Sequence, residues 1–346
     1  MRGFFYGDAT PCGKFDEIHI GSQESKLCCC FYSKLISRPV RTHITAARGK
    51  GEAVEDLHVQ CADGASCVGV RQMDLSQALE IASCTDPGMI RSHNEDSVAA
   101  DAANGLVVLA DGMGGYNAGE VASGMATAII TTELQHALGE RPLHWVDPAN
   151  GITLAQRLLV EQIAKANGSI YQAAQAQAQY AGMGTTLVAA IFYDNRVTVA
   201  HIGDSRLYRL RGNELEQLTK DHSLLQEQID SGMLTAEQAK FSQNKNLVTR
   251  ALGIEAFVEP DISEFGVRSE DIYMLCSDGL NDMVSDEDMA MTLQTLSGNL
   301  RLAAQQLVQL ANDNGGRDNI SVILVKAVRE FPAHRGWRDR ILDWMK

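Results

Sequence analysis

Residues 106–115 read LVVLADGMGG, an uninterrupted apolar run that ends in an aspartate and a glycine-rich turn. A continuous apolar run before a turn signal is typical of a strand buried on both faces. The same arrangement recurs at 197–205 (VTVAHIGDS) and 273–279 (YMLCSDG), and in reverse at 317–325 (RDNISVILV). A carboxylate therefore borders each of four apolar strands: Asp111, Asp204, Asp278 and Asp318.

The rest of the pattern from about residue 80 indicates strands joined by hairpins and helices in separate blocks. Further strands are predicted at 79–86, in a hairpin over 185–203 that turns at Asp194-Asn195, in a hairpin over 206–219, and at 271–277 and 319–328. Apolar residues at three- and four-residue spacing predict helices at 118–138, 153–180, 286–296 and 300–313. This order favours an α+β fold over a parallel doubly wound sheet.

The carboxylates at strand ends indicate a cation site. A carboxylate near a core is costly unless it is paired or bound to a cation. Any one Asp-Gly pair could simply cap a turn, but four together, three of them beside glycine, favour a shared site, and oxygen ligands without His or Cys suit Mg²⁺ or Mn²⁺. Arg91, just before Glu95 and Asp96, offers a planar fork of donors that matches a phosphate group.

Composition excludes several classes of protein. The 346 residues are 45% hydrophobic and 21% charged, so the chain is not wholly disordered, and no apolar run is long enough for a transmembrane helix. Lys and Arg number 30 against 44 Asp and Glu, a net charge of −14. So acidic a chain is a poor general binder of nucleic acid or of anionic membranes.

The first 72 residues differ from the remainder. Six of the eight cysteines lie there, hydrophobic periodicity is poor, and no zinc-type Cys/His spacing occurs. We expect residues 1–72 to be an extension with little fixed structure, and Met73 could be the start of translation. A small metal or redox module built on Cys28 to Cys30 is the alternative. Cysteine usage favours a reduced, cytoplasmic protein.

Taken in order, the motifs resemble a known family. They are RSHNEDS (91–97), ADGMGG (110–115), GMGTTLV (182–188), HIGDSRLYRL (201–210), LTKDHSLLQEQI (218–229), TRALG (249–253), LCSDGL (275–280) and GGRDNISVILV (315–325). This set resembles the metal-dependent protein phosphatases of type 2C, in their bacterial branch, over residues 80–328. Each motif alone is weak, whereas the order and spacing of the set are specific.

The resemblance implies an αββα sandwich of two mainly antiparallel sheets flanked by helices, with two Mn²⁺ or Mg²⁺ ions, and a weaker third, at one edge between the sheets. It implies direct metal ligands at Asp111, the Gly112 carbonyl, Asp278 and Asp318. It further implies Glu95 acting through a water, Asp96 beside it, Asp204 at the third metal, Asn319 orienting the ligands, and Arg91 clamping the phosphate.

The implied reaction is hydrolysis of phosphoserine and phosphothreonine by a hydroxide that bridges the two metals, with Arg91, Asp111 and Asp278 as the catalytic set. Many eukaryotic members have His in the middle of DGHGG, where this chain has Met113. The acid that protonates the leaving group is therefore open. A metal-bound water could serve, and His93 and His201 lie near the motifs.

The phosphatase domain is expected over residues 73–330. Within it, residues 219–250 match the flap beside the cleft that carries substrate choice in the family, or form a surface helix pair without a role. The sequence of residues 331–346 predicts a short tail helix with Trp337 and Trp344 on one face. This helix either docks on the domain or contacts a partner kinase or a membrane surface.

The expected partners are phosphorylated proteins and a cognate bacterial Ser/Thr kinase whose action the enzyme reverses, with no nucleic acid, no membrane, and a monomeric state. One alternative is a catalytically weak pseudophosphatase that binds phosphoproteins. Others are a partner-switching regulatory phosphatase of the same superfamily and a metal-dependent nuclease or nucleotide hydrolase. The physiological substrate and the choice between Mn²⁺ and Mg²⁺ are not set by the sequence.

Overall fold

The structure is a computed structural model that describes residues 74–115, 118–138, 142–235, 238 and 247–332. The predicted extension at 1–72, the start at Met73 and nearly all of the predicted tail helix lie outside these residues. In the described ranges, no helix combines the length and the apolar character needed to cross a bilayer.

The described residues form two antiparallel sheets. The first has the order β1-β11-β10-β7-β8, comprising Leu79–Asp86 (β1), Ile320–Ala327 (β11), Ile272–Cys276 (β10), Arg206–Arg211 (β7) and Glu214–Gln217 (β8). The second has the order β2-β3-β5-β6-β9, comprising Asp96–Asp101 (β2), Leu106–Met113 (β3), Leu187–Tyr193 (β5), Arg196–Ile202 (β6) and Asp261–Gly266 (β9). A two-residue strand, Gly184–Thr185 (β4), also pairs with β3.

Helices cover the outer face of each sheet. Ala118–Ala137 (α1) and Leu154–Ala176 (α2) pack on the second sheet, and their apolar residues share one core with Leu106 and Val108 of β3. Leu224–Asp230 (α3) is a short helix in the predicted flap. Asp278–Asn281 (α4), Asp286–Thr295 (α5) and Leu300–Asp313 (α6) contribute to a core on the outer face of the first sheet.

A third core lies between the sheets, where Val107 and Leu109 of β3 and Tyr273 and Leu275 of β10 are fully buried. Alternate residues of β3 thus enter different cores, as expected for a strand covered on both faces. The predicted α+β class and the αββα layering are confirmed.

Local sequence explains most of the element ends. The first hairpin turns at Asp194 and Asn195, both with positive φ (45° and 55°), which is the conformation of a tight hairpin turn. Helix α2 begins at a capping box, in which the Gln156 N–H donates to the Thr153 hydroxyl and the Thr153 N–H donates to the Gln156 side chain. The flap helix α3 has Ser223 as its N-cap, and Gly232, with φ of 73°, lies just beyond its end.

Candidate metal centre

Carboxylates from both sheets meet at one edge of the sandwich. Asp111 lies near the end of β3, and Asp96 is its direct partner across the β2–β3 pair. Asp204 lies two residues after β6, Asp278 follows β10, and Asp318 precedes β11. Since β10 and β11 are antiparallel neighbours, the last two come from the same edge of the first sheet.

These carboxylates lie close enough to repel one another. Burial raises the pKa of Asp111 well above its ordinary value, and repulsion from Asp96, Asp278, Asp204 and Asp318 raises it further. Burial likewise raises the pKa of Asp278, again with repulsion from Asp204, Asp318 and Asp96. Such a cluster is unfavourable when it is fully ionised, so it fits a site that binds cations.

Asp96 is held on one oxygen and left open on the other. Its Oδ2 accepts a hydrogen bond of 2.8 Å from the Ser277 hydroxyl, whose oxygen accepts the backbone N–H of Ser321. Its Oδ1 is buried and, among the residues that the structure describes, has no hydrogen-bond partner. Burial raises the pKa of Asp96 to about 6. A buried carboxylate oxygen without a donor is what a metal ion or a metal-bound water would satisfy.

Arg91 and Asp318 form the entrance of the centre. Arg91 Nη2 donates to Asp318 Oδ2 at 2.7 Å, although the two residues are 227 positions apart, and this bond raises the pKa of Arg91. The Arg91 side chain is 53% exposed, which leaves donors for a ligand. Glu95 lies nearby, and burial raises its pKa although the charge of Arg91 acts to lower it.

Asn319 ties the entrance segment to the first sheet. Its Oδ1 accepts the backbone N–H of Glu95 at 2.8 Å, and its Nδ2 donates to the carbonyls of His93 and Pro87. Its own backbone N–H donates to Asp318 Oδ1 at 2.9 Å. One buried amide therefore fixes the backbone on both sides of the Arg91–Asp318 pair.

Glycine is required where the backbones of the centre approach closely. A Cβ atom at Gly112 would collide with the carbonyl oxygens of Gly119 and Glu95, and one at Gly279 with the carbonyl of Asn319. The glycines of the two Asp-Gly pairs thus bring helix α1 and strand β11 against the acids. The Gly112 carbonyl lies next to Asp111 in the chain and could be a further oxygen ligand.

A hydroxyl network that sequence reasoning missed supports the backbone of Asp111. The Thr185 hydroxyl and the Thr186 backbone N–H both donate to the Asp111 carbonyl at 2.8 Å. The Asp111 N–H donates to the Thr186 hydroxyl, which bonds the hydroxyl of Ser205 beside Asp204. The only sequence signal was the Thr185-Thr186 pair, a combination also common in ordinary strands.

Sequence reasoning also passed over Asp282, four residues after Asp278. Its charge raises the pKa of both Asp278 and Asp204. Burial is the main cause that raises the pKa of Asp204, to about 6. Its spacing of one helical turn from Asp278 could have identified it.

Two other residues near the motifs have roles that the sequence left open. His201 is buried, its Nε2 bonds the Lys220 carbonyl at 2.8 Å, and its ring stacks on that of His222. His93 is exposed. Met113 pairs with Gly184 across β3 and β4.

Within the described residues, His201, His222 and Asp261 form a second group of potential ligands, with one atom from each within 4.8 Å of the others. The backbone N–H of Gly203 donates to Nδ1 of His222 at 3.2 Å. Nε2 of His222 lies 3.4 Å from Asp261 Oδ2 and 3.4 Å from Arg250 Nη1, so both of its ring nitrogens already face protein groups. This group therefore fits a hydrogen-bonded cluster better than a metal site.

Comparisons with known proteins agree with this geometry. The family model for protein phosphatase 2C matches residues 91–312. The serine/threonine protein phosphatase PstP of Mycobacterium tuberculosis is 41% identical over 72% of this chain, which spans only 45% of that relative. The serine/threonine phosphatase stp of Listeria welshimeri is 39% identical over 70% of this chain and 93% of its own length.

A solved structure gives the same fold. The catalytic domain of PstP in complex with two manganese ions superimposes with a TM-score of 0.62 and 38% sequence identity, covering 72% of this chain and 98% of that one. The family match covers well over half of this chain and includes most of the acids and Arg91. The chain belongs to the protein phosphatase 2C family, the family that its motifs resemble.

Proposed function

We propose that this chain is a metal-dependent phosphatase that hydrolyses phosphoserine and phosphothreonine in proteins. The single observation that carries the proposal is the convergence of Asp96, Asp111, Asp204, Asp278 and Asp318 at one edge, beside an exposed Arg91. Relatives that share this domain are named serine/threonine phosphatases. No finding supports the alternative of a pseudophosphatase.

The donor set fits divalent cations. Its atoms are all oxygens, one buried oxygen of Asp96 has no hydrogen-bond partner among the described residues, and burial and mutual repulsion raise the pKa of Asp111. We assign Asp111, the Gly112 carbonyl, Asp278 and Asp318 as ligands of two ions, with Glu95 reaching one through a water. Asp204 and Asp278 would hold a weaker third ion, and Mn²⁺ and Mg²⁺ both suit the set. When bound, such cations lower the pKa of coordinated water and neutralise phosphoryl oxygens.

The residues of the chain supply orientation and charge. Arg91 presents guanidinium donors to the phosphate, and its bond to Asp318 fixes the direction of that fork. Asn319 holds the segment that carries Glu95, so the entrance does not need to reorganise when substrate binds. His201 is buried and bonded to a carbonyl, so of the two histidines near the motifs only His93 is exposed enough to protonate a departing serine or threonine oxygen.

The proposed physiological substrates are phosphoproteins made by a Ser/Thr kinase. The pseudophosphatase, nuclease and nucleotide-hydrolase alternatives differ from this in measurable ways. A pseudophosphatase would bind a phosphopeptide without turnover, and the hydrolases would act on DNA or on a nucleotide. The chain's net charge of −14 disfavours the nuclease.

The test is metal-dependent hydrolysis by the full chain. We expect release of phosphate from a phosphothreonine peptide and from p-nitrophenyl phosphate with Mn²⁺, loss of this activity in EDTA, and a loss of about a thousandfold in Asp278→Ala. Asp313→Asn, which changes an exposed acid on α6, is the matched control and should retain activity. Full activity in EDTA, or turnover of DNA or a nucleotide in place of the phosphopeptide, would contradict the proposal.

A further inference from the structure

A groove of about 670 Å³ lies along the start of β9, outside the carboxylate cluster. Its lining includes Arg250, Glu255, Phe257, Glu259, Asp261 and Ile262. We call it the β9 groove. Phe257 is 73% exposed, which is unusual for a large aromatic side chain in a soluble protein and is a common property of binding surfaces.

One side of the β9 groove is an open strand edge. Strand β9 is the last strand of its sheet, and in the described ranges no other strand pairs with its outer side. The Val267 N–H donates to the Asn195 carbonyl, which makes this a hydrogen-bonded antiparallel pair. Hydrogen-bonded pairs alternate along an antiparallel ladder, so in this register the backbone N–H and C=O groups of Asp261 and Ser263 also face β6.

The backbone N–H and C=O groups of Ile262 and Glu264 therefore point away from the sheet. The Gly266 carbonyl, which should point outward in the same alternation, accepts a hydrogen bond of 2.7 Å from Arg211 Nη2 and not from β6. The outward backbone groups of Ile262 and Glu264 have no hydrogen bond to the backbone of any other described residue. An uncovered edge of this kind can accept one more strand.

The other side of the β9 groove is a preorganised loop. The buried side chain of Asn167 on α2 accepts the Gly253 N–H at 2.8 Å and donates to the carbonyls of Glu255 and Ala256. Gly253 has φ of 84°, and a Cβ atom there would collide with Ile170 of α2. The loop that presents Phe257 is thus fixed to a helix, so a ligand need not order it.

The segment that leads into the loop of the β9 groove is bonded to the strand pair that supports Asp111. Leu252 pairs with Thr185, whose hydroxyl donates to the Asp111 carbonyl. Ile254, which is 47% exposed, lies against Gly184. Leu252 and Ile254 thus connect the loop of the β9 groove to strand β4 beside Asp111.

The charge of the β9 groove selects the type of ligand. Glu255 and Glu259 are exposed acids, whereas Asp261 is paired with Arg250 at 3.1 Å. Among the residues that the structure describes, neither of these two glutamates forms an ion pair with Lys, Arg or His. They suit a segment with Lys or Arg side chains, and Phe257 suits an apolar side chain next to them.

We propose that the β9 groove binds an extended basic segment of the phosphoprotein substrate, which adds to the free edge of β9 as a further strand. This inference rests on the proposed phosphatase function and assigns a substrate-docking role to a surface separate from the metal ligands. Main-chain bonds to Ile262 and Glu264 give affinity, while Phe257, Glu255 and Glu259 give preference for apolar and basic side chains.

The first test compares a large and a small substrate in the full chain with Mn²⁺. We expect Phe257→Ala to raise KM for a phosphothreonine peptide flanked by Lys and Leu by about tenfold and to leave hydrolysis of p-nitrophenyl phosphate within about twofold. The double variant Glu255→Lys/Glu259→Lys should reverse the preference for Lys-flanked over Glu-flanked peptide. Met291→Ala, on exposed Met291 of α5, is the matched control and should change neither substrate.

The second test reads the strand edge directly by hydrogen exchange. A non-hydrolysable phosphonate version of the Lys-flanked peptide should slow exchange of the Ile262 and Glu264 amides, while those of Asp261 and Ser263, already bonded to β6, should change little. Peptides N-methylated at alternate residues should bind with alternating strength, because only every second peptide N–H can meet β9.

The outcomes separate the two proposals. Failure of the wild type on both substrates would overturn the phosphatase function. Normal turnover of both, with KM for the peptide unchanged in Phe257→Ala, would overturn docking alone. Slow exchange of the Ile262 and Glu264 amides before any peptide is added would also overturn it, because the edge would then be covered by another part of this chain or by a second copy.

Discussion

The two ends of strand β10 carry aspartates in opposite electrostatic settings. Asp271, directly before the strand, is 2% exposed and accepts two hydrogen bonds of 2.8 and 2.7 Å from Arg211, as well as the Arg268 N–H. Asp278, beyond the other end, has carboxylates as its charged neighbours, and burial and repulsion raise its pKa. Burial alone therefore does not mark the site; burial without a matching cation does.

The two aspartates differ in the free energy that is needed to keep each carboxylate ionised inside the protein. A buried carboxylate with a bidentate arginine has its charge compensated inside the protein. A cluster such as that around Asp278 keeps its charge uncompensated until something from solution binds. We therefore expect Asp271 to stabilise the folded chain and Asp278, in the absence of a bound cation, to destabilise it.

The largest effect on stability is expected when Asp271 and Asp278 are each replaced by alanine and the metal-free variants are compared in EDTA. Asp271→Ala should lower the free energy of unfolding by about 3–5 kcal/mol, because Arg211 and the Arg268 N–H lose their partner. Asp278→Ala should leave it unchanged or raise it, because repulsion with Asp204 and Asp318 is relieved. Chemical denaturation of both variants measures this, with Asp271→Asn as a milder control. Equal losses in the two alanine variants would contradict the comparison.

Much of the fold follows from local sequence. The turn at Asp194 and Asn195 needs two residues that tolerate positive φ, and the sequence supplies them between two apolar runs. By contrast, β2 (DSVAAD) and β9 (DISEFG) were not predicted. Both combine short length with polar or small residues, and tertiary pairing with β3 and β6 decides their structure.

The candidate centre shows the same division. Position at the end of an apolar strand identified Asp111, Asp204, Asp278 and Asp318, because strand ends of stacked sheets meet at an edge. The bond between Arg91 and Asp318 and the three side-chain bonds of Asn319 depend on how distant segments dock. No local pattern contains those pairings. The sequence pattern pointed to Arg91 and Asp318 separately, and only the family resemblance pointed to Asn319.

The acid cluster should also make metal-free stability depend on pH. The pKa of Asp204 is about 6 in the folded protein against an ordinary value of 3.8. Between these values the folded chain keeps a proton that the unfolded chain has lost, so the free energy of unfolding falls as the pH rises from about 4 to about 6. A shift of this size corresponds to about 3 kcal/mol.

Denaturation in EDTA from pH 4 to 7 measures the effect as the difference between wild type and Asp204→Asn. The difference is needed because carboxylates with lowered pKa, such as Asp101, act in the opposite direction. Asp204→Asn should gain stability relative to wild type as the pH rises through this window. A constant difference across it would show that the Asp204 carboxylate is not penalised by the fold.

Bound metal ions should turn the acid cluster from a destabilising into a stabilising feature of the folded chain. The resulting rise in the free energy of unfolding is the smallest of the effects expected on stability. At Mn²⁺ concentrations of about 100 times Kd, a ligand that binds only the folded state adds about 2.7 kcal/mol to the free energy of unfolding. Wild type should show this rise and lose it in EDTA, and Asp271→Asn should show the same rise from a lower starting stability. Asp111→Asn should show little of it, because this change removes a carboxylate that interacts with all four of its acidic neighbours. A full Mn²⁺ response in Asp111→Asn, measured as the shift in thermal midpoint, would mean that the ions bind elsewhere and that the acids at the end of β10 are compensated by some other cation.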